Sequence, residues 1–238
     1  MKKQNLWLIV YCMIPLLTLA AAQWGSRAVT VLAENAPIER QHRIVIDAGH
    51  GGIDGGATSC TGRPESFFNL EIALRLQDLL HFLGHETKMI RTEDISVYTK
   101  GDTIAQKKAS DLKERVRIVK DTENALLLSI HQNIFPEEKY SGAQVFYADT
   151  PGSEALAVRL QEAFQKTVNP KSNRKSKPAD KIYLMEHIPC TGVLIECGFL
   201  SNMREEALLR QPGYQKQLCC VIAATLSQYL KPRGIEPR

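Results

Sequence analysis

One stretch constrains this chain more than any other: Ile44-Val-Ile46 runs straight into Asp47, His50 and the glycines at 49, 51, 52, 55 and 56. Three successive β-branched residues read as a buried strand. The glycines after them let the backbone adopt positive φ and pass close to a ligand. Open α/β sheets place their chemistry at such points, just beyond the carboxyl ends of buried strands. Two later stretches repeat the pattern, Leu128-Ser-Ile-His-Gln-Asn133 and Val193-Leu-Ile-Glu-Cys-Gly198. Each is an apolar strand that ends in a residue able to bind metal or move protons.

The remaining elements fit around these three strands. Leu70, Ala73, Leu74, Leu80 and Leu83 recur at helical spacing between Asn69 and Leu83, with Gly84 as a C-cap. Residues 86–91 read as a strand that closes a β-loop-α-β unit, and residues 92–110 as a polar loop. Asp111, with Glu114 three residues on, has the form of a capping box. In that helix Val116 and Val119 face inward, and Arg115 and Arg117 lie elsewhere. Strands follow at 125–131 and 142–147, then a helix from Ser153 to about Thr167. Asn169 to Pro178 is basic and turn-rich, has no apolar anchor, and reads as a solvated loop. Strands at 182–184 and 193–196 precede closing helices at 202–209 and 214–230. This alternation describes a single α/β domain, and the length of 238 residues accommodates one.

The N-terminus has a different character. Lys2 and Lys3 precede an apolar run from Leu6 to Ala22, as in an export signal. Ala20-Ala-Ala22 and Val31-Leu-Ala33 resemble cleavage sites, and an uncleaved anchor is the alternative. Residues 1–35 are therefore expected to be a signal peptide or membrane anchor plus linker, with an exported domain at 36–238. The net charge of +4 is mild and its basic residues are dispersed, which argues against a nucleic-acid surface. Beyond Cys12 in the leader, Cys60, Cys190, Cys197, Cys219 and Cys220 show no metal-knuckle or redox spacing. They read as structural thiols.

The strand-end residues define a chemistry. Two histidines and a carboxylate form a catalytic zinc set with a fourth position for water, and zinc brings that water to a pKa of about 7. A carboxylate outside the set can then accept the proton and pass it to a leaving amine. His50 and His131 are the best-placed histidines. His81 and His85 flank a helix end, and His187 lies in a loop. Glu196 ends an apolar strand, where an unpaired charge is costly; a structural ion pair with Arg91 is its alternative explanation. Spacing alone leaves the ligating carboxylate open among Glu65, Asp47, Asp54 and Glu71. The nitrogen-rich donor set favours zinc over other divalent ions.

Four motifs in order carry a resemblance. Ile-Val-Ile-Asp-Ala-Gly-His-Gly-Gly, Glu65-Ser-Phe-Phe-Asn-Leu, Ser-Ile-His-Gln-Asn and Leu-Ile-Glu-Cys-Gly-Phe-Leu-Ser-Asn resemble the zinc-dependent N-acetylmuramoyl-L-alanine amidases. Those enzymes hydrolyse the bond between the lactyl group of muramic acid and the first L-alanine of the peptidoglycan stem. The resemblance runs from Arg43 to Leu230. It implies that His50, Glu65 and His131 hold zinc and that Glu196 is the catalytic carboxylate. The fold it implies is a twisted, mixed, mostly parallel sheet with helices on both faces. The family often follows the ligating glutamate with Lys-Asp, whereas Ser66 and Phe67 stand here; the step to Asn69-Leu70 is retained. A leader followed by a bare catalytic domain is similar to the sporulation and germination amidases of endospore formers, which strip stem peptides so that muramic lactam can form in spore cortex. Asp47 and Asn133 are candidate supporting or substrate contacts. A protein activator is a possible partner, because the chain has no wall-binding repeats to localise it.

Three rival classes fit the sequence less well. A nucleotide site would need glycine where Asp54 stands, and no P-loop lysine follows. A thiol or serine hydrolase would use Cys197 or Ser129 with His131, although neither sits in a nucleophile turn. A non-catalytic wall-binding module would not be expected to retain both the metal ligands and the free glutamate.

Overall fold

The computed structural model describes residues 42–137 and 139–231; the leader expected over residues 1–35 lies outside them. The strands are β1 (Arg43–Ala48), β2 (Thr87–Met89), β3 (Ala125–Asn133), β4 (Gln144–Tyr147), β5 (Lys177–Pro178) and β6 (Gly192–Phe199). The helices are α1 (Glu65–Phe82), α2 (Ile104–Lys120), α3 (Ser153–Thr167), α4 (Tyr183–His187), α5 (Met203–Leu209) and α6 (Pro212–Leu230).

One six-stranded sheet has the order β2-β1-β3-β6-β4-β5. The first four strands are parallel, whereas β4 runs antiparallel to β6 and β5 runs parallel to β4. Because β1, β3 and β6 point the same way, their three carboxyl ends lie side by side. Alternation along these strands feeds two cores. Ile44, Ile46, Leu126, Leu128, Val193 and Ile195 pack with residues of α1, α3 and α6. Val45, Leu127 and Leu194 pack on the other face with Val116 and Val119 of α2 and with Leu184 and Met185 of α4. Strands buried on both faces need near-continuous apolar sequence, which is what β1, β3 and β6 carry.

Several elements differ from the sequence expectation. Helix α1 starts at Glu65, four residues early, and its fully buried row is Phe68, Ile72, Leu76 and Leu80, with Ala73 beside it. Leu83 is largely exposed. Gly84 takes φ 83° and ends the helix, its amide bonding to His81 O while the His85 amide bonds to Leu80 O; this double bond pattern is the Schellman closure. Helix α2 begins at Ile104, so the expected loop is shorter and the expected cap is wrong. Thr103 and Gln106 form the capping box. Ile104-Ala-Gln-Lys-Lys-Ala109 consists mostly of good helix formers but has no apolar periodicity, so its first turns are helical yet exposed. Asp111 lies inside the helix, accepting the Val97 amide at 2.6 Å and Arg115 Nε at 2.6 Å. Ser153, read from the sequence as the cap of helix α3, is its first residue; Gly152 stands at the N-cap, and the Ser153 hydroxyl accepts the Gly192 amide at 2.9 Å. The strand expected at 182–184 is not formed: Tyr183–His187 is helix α4, whose good helix formers Leu184 and Met185 bury under the sheet. Lys177 and Pro178 leave the expected loop to pair with Phe146 and Tyr147, at a sheet edge where proline is tolerated.

Candidate active site

The glycine turn after β1 brings His50 toward the end of β3. His50 itself takes φ 60°, a left-handed conformation that non-glycine residues seldom adopt. Two buried arginines hold the turn by its carbonyls. Arg91 Nε donates to Ala48 O at 2.7 Å, and its Nη2 donates to Gly49 O and Ser66 O, each at 3.0 Å. Arg115 Nη2 donates to His50 O at 2.7 Å and its Nη1 to Ala48 O at 3.1 Å. Arg115 Nη1 also forms a very short ion pair with Asp47. Burial is the largest influence on Asp47 and would raise its pKa, but the charges of Arg115 and His131 together with the hydrogen bonds from Ser129 and Arg115 hold the carboxyl below its usual range. Sequence reasoning missed both roles: it placed Arg115 elsewhere on its helix and considered Arg91 only as a partner for Glu196. The available signal was chemical, since an arginine among apolar neighbours must find carbonyl or carboxylate acceptors.

Glu65, in the first turn of α1, sits between the two imidazoles. Its Oε2 lies 3.3 Å from His50 Nε2 and its Oε1 lies 2.9 Å from His131 Nδ1. The carboxylate also accepts the Ala57 amide, the Gln132 amide and Asn69 Nδ2, each at 3.1 Å. Burial would raise the pKa of Glu65, but the two histidines hold it far below the carboxylate range. Burial would likewise lower His50, yet its contacts with Glu65 and then Asp54 raise it to about 9. The two rings meet edge to face with centroids 5.0 Å apart.

Ligand atoms of His50, Glu65 and His131 all lie within 4.8 Å of one another, which makes this group a possible metal site. Two nitrogens and one carboxylate oxygen suit a catalytic zinc that keeps an open position. The backbone is shaped to that cluster. A Cβ on Gly49 would lie 2.1 Å from His131 Nε2, and one on Gly56 would lie 2.7 Å from both Glu65 Oε2 and His50 Cδ2. The other candidate carboxylates are engaged elsewhere. Asp54 Oδ2 lies 3.0 Å from His50 Nδ1, the nitrogen opposite the cluster, and Asp54 also pairs with Lys108 at 2.8 Å. Glu71 accepts Gln215 Nε2 at 2.9 Å. Asp47 is 1% exposed beneath the turn and accepts the Ser129 hydroxyl at 2.6 Å, so of its two expected roles only the supporting one is open to it. Asn133 ends β3, its carbonyl accepting the Leu200 amide at 2.8 Å.

Glu196 is the register partner of His131 on the neighbouring strand. Its Oε2 is shielded from solvent and has no hydrogen-bond partner among the described residues. Burial is the largest influence on it and pushes its pKa up to about 7; the histidines pull it down, and Glu65 pushes it up. The expected alternative, an ion pair with Arg91, is absent because Arg91 is committed to backbone carbonyls. The thiol and serine readings are corrected too. Cys197 and Ser129 are both 0% exposed, and burial pushes the Cys197 thiol far above its ordinary pKa. His81 contacts Thr87, His85 bonds Ser227 at 2.8 Å, and His187 stacks on Tyr183, all outside the cluster.

Comparison with known proteins agrees with this geometry. Residues 44–228 match the family described as N-acetylmuramoyl-L-alanine amidase. The germination-specific N-acetylmuramoyl-L-alanine amidase of Bacillus subtilis is 36% identical over 197 residues, covering 82% of each chain. Among solved structures, the CwlD amidase from Clostridioides difficile, in complex with the GerS lipoprotein, has a TM-score of 0.77 at 38% identity. That match covers 80% of this chain and 98% of the other. An N-acetylmuramoyl-L-alanine amidase from Clostridium difficile 630 has a TM-score of 0.70 at 28% identity, covering 82% of this chain and 100% of its own. With the family matched over most of the chain and its sheet and strand-end residues in place, this protein belongs to the N-acetylmuramoyl-L-alanine amidases.

Proposed function

We propose that this peptidoglycan amidase is a zinc enzyme in which His50, Glu65 and His131 hold the metal and Glu196 is the general base and acid. The observation that carries the proposal is the shielded, unpartnered Oε2 of Glu196 on the strand position paired with His131 of the cluster. Bound zinc would supply Lewis acidity toward the lactyl carbonyl and lower the pKa of water to about 7. Glu196 takes a proton from the attacking water as its oxygen bonds to the carbonyl carbon. As the carbon–nitrogen bond breaks, Glu196 returns that proton to the departing alanine nitrogen. Asp54 orients His50 by accepting from Nδ1, which turns the Nε2 lone pair toward the cluster. Asp47 acts beneath the site through Arg115, and Asn133 lies beside it at the end of β3.

A wall amidase acts outside the cytoplasm. We further assign residues 36–238 as the catalytic domain behind an exporting or anchoring segment at 1–35. Spore-cortex modification in the forespore intermembrane space is the biological setting, supported by the similarity to the germination-specific relative. A protein activator is proposed because the similar CwlD amidase is found in complex with a lipoprotein.

The test is release of new alanine amino groups from purified peptidoglycan, measured as prepared, after chelation and after zinc is restored. Loss on chelation with recovery on zinc is expected. Turnover that persists in a verified metal-free sample would overturn the zinc assignment.

A further inference from the structure

The basic loop at residues 169–178 does not hang free in solvent. It walls a cleft of about 710 Å³ together with Tyr140, Gly142 and Glu205. Lys171, Arg174 and Arg204 all line that cleft. Arg174 is the residue with an unusual environment. Its Nε donates to Ser141 O at 3.0 Å and its Nη1 to Gln144 Oε1 at 3.4 Å. Its guanidinium carbon lies 4.7 Å from the centroid of the Phe199 ring. The side chain is thus held on one edge and one face, yet it forms no ion pair, and its Nη2 has no acceptor among the described residues. Glu205, the carboxylate lining the cleft, feels the Arg174 charge at a distance but forms no direct ion pair with it among the described residues. It is 7% exposed, and its oxygens accept the Gly142 amide at 2.7 Å and the Phe199 amide at 2.9 Å.

The cleft also lies in a useful place. Because β4 runs antiparallel to β6, its amino end lies at the same end of the sheet as Glu196, and Gln144 is the register partner of Glu196. Across that end the order is His50 beyond β1, His131 on β3, Glu196 on β6 and then the cleft beside β4. Neighbouring strands are about 4.8 Å apart. A group held by Arg174 is therefore on the order of 10 Å beyond Glu196, a reach of two or three extended residues. A guanidinium fixed on one edge with donors left over is a preformed receptor for a carboxylate.

We propose that Arg174 and its cleft bind a carboxylate of the stem peptide on the leaving side of the scissile bond, so that the enzyme selects acidic stems by direct ion pairing. This rests on the amidase reading for the direction of the substrate, but its test does not depend on turnover. Calorimetric titration of the zinc-loaded full chain compares L-alanyl-D-glutamate whose γ-carboxyl is capped as a methylamide with the same ligand whose α-carboxylate is also a carboxamide, so that only the first carries a free carboxylate. The free carboxylate should bind about 10–100-fold more tightly. Arg174→Gln should erase most of that difference, and Arg174→Lys, which keeps the charge but not the fork, should retain part of it. Lys120→Gln, an exposed charge at the end of α2, should leave it intact. Equal binding of the two dipeptides by the unmodified chain would overturn the proposal, as would a difference that survives in Arg174→Gln. Hydrolysis of a muramoyl dipeptide by the same samples is scored separately. Its absence with discrimination intact would count against the amidase mechanism and not against the carboxylate site.

Discussion

The two sides of the active site are built differently. On the β1 side, the His50 turn is saturated: Arg91 and Arg115 cover its carbonyls, and Asn69 ties Gly49 O to Glu65. On the β6 side, Glu196 keeps a shielded oxygen without a partner, and Arg174 keeps an unused edge. Metal ligands work best when their geometry is enforced before the ion arrives. A residue that must give and take a proton, or hold a substrate, has to keep free valence for that purpose. The contrast therefore separates the part of the site that is fixed from the part that reacts.

Breaking the reactive side should have the largest effect. Glu196→Gln keeps the size and burial of the side chain but removes its basicity. Turnover should fall by about 10²–10⁴-fold, while zinc content, measured by atomic absorption, stays near that of the unmodified chain. Loss of the metal along with activity would blur the proposed division between the two sides.

The next effect falls on the saturated side and appears as stability. Asp47→Asn removes one of the two carboxylates that pair with the buried Arg115 and leaves Asp111 as the other, at a cost of about 1.5–3 kcal/mol in urea unfolding at pH 7. The sign of the pH dependence follows from the lowered pKa of Asp47. Its contribution is complete above about pH 4, where the unfolded carboxylate is ionised, and is lost as pH falls through the lower folded value. The gap between Asn variant and parent should therefore narrow in acid. A gap that stays constant down to pH 2 would mean that the pair does not act through charge.

A smaller effect is expected one layer out. Asp54→Ala frees His50 Nδ1, and zinc affinity in a competition with a chromogenic chelator should weaken roughly 10–100-fold, with little change in the fold. An unchanged affinity would show that the turn alone orients the imidazole. Smallest of all is Cys197→Ala, which should cost roughly 1 kcal/mol through lost packing and leave an active enzyme. An alkylating reagent should leave the activity of both this variant and the native chain intact, because Cys197 is buried and the exposed Cys60 and Cys220 lie outside the cluster.

Helix assignments show where local reading succeeds and fails. Helix α6 was legible because Leu218 and Ile222 repeat at helical spacing and both become buried. The first turns of α2 were not, because they are exposed and carry propensity without periodicity. At α4, Ile182 stays extended as the N-cap, while Tyr183 is drawn into a helix that buries Leu184 and Met185. Arg174 was hidden for a further reason: the loop has no apolar anchor of its own and is held by polar contacts to Ser141 and Gln144, far away in the chain.

From the amino-acid order alone it follows that three buried strands carry His50, His131 and Glu196 near their carboxyl ends, although β6 does not end at Glu196 as expected and continues to Phe199. A β-branched or apolar run is a local signal, and a residue at its end inherits the position. Which carboxylate joins the two histidines was not decided locally, since Glu65, Asp47, Asp54 and Glu71 were equivalent by spacing. The packing of α1 against the sheet made that choice by setting Glu65 between the rings, with Asp47 beneath Arg115 and Asp54 behind His50. Contacts between residues so far apart in sequence depend on how helices dock onto strands, and no short-range periodicity encodes them.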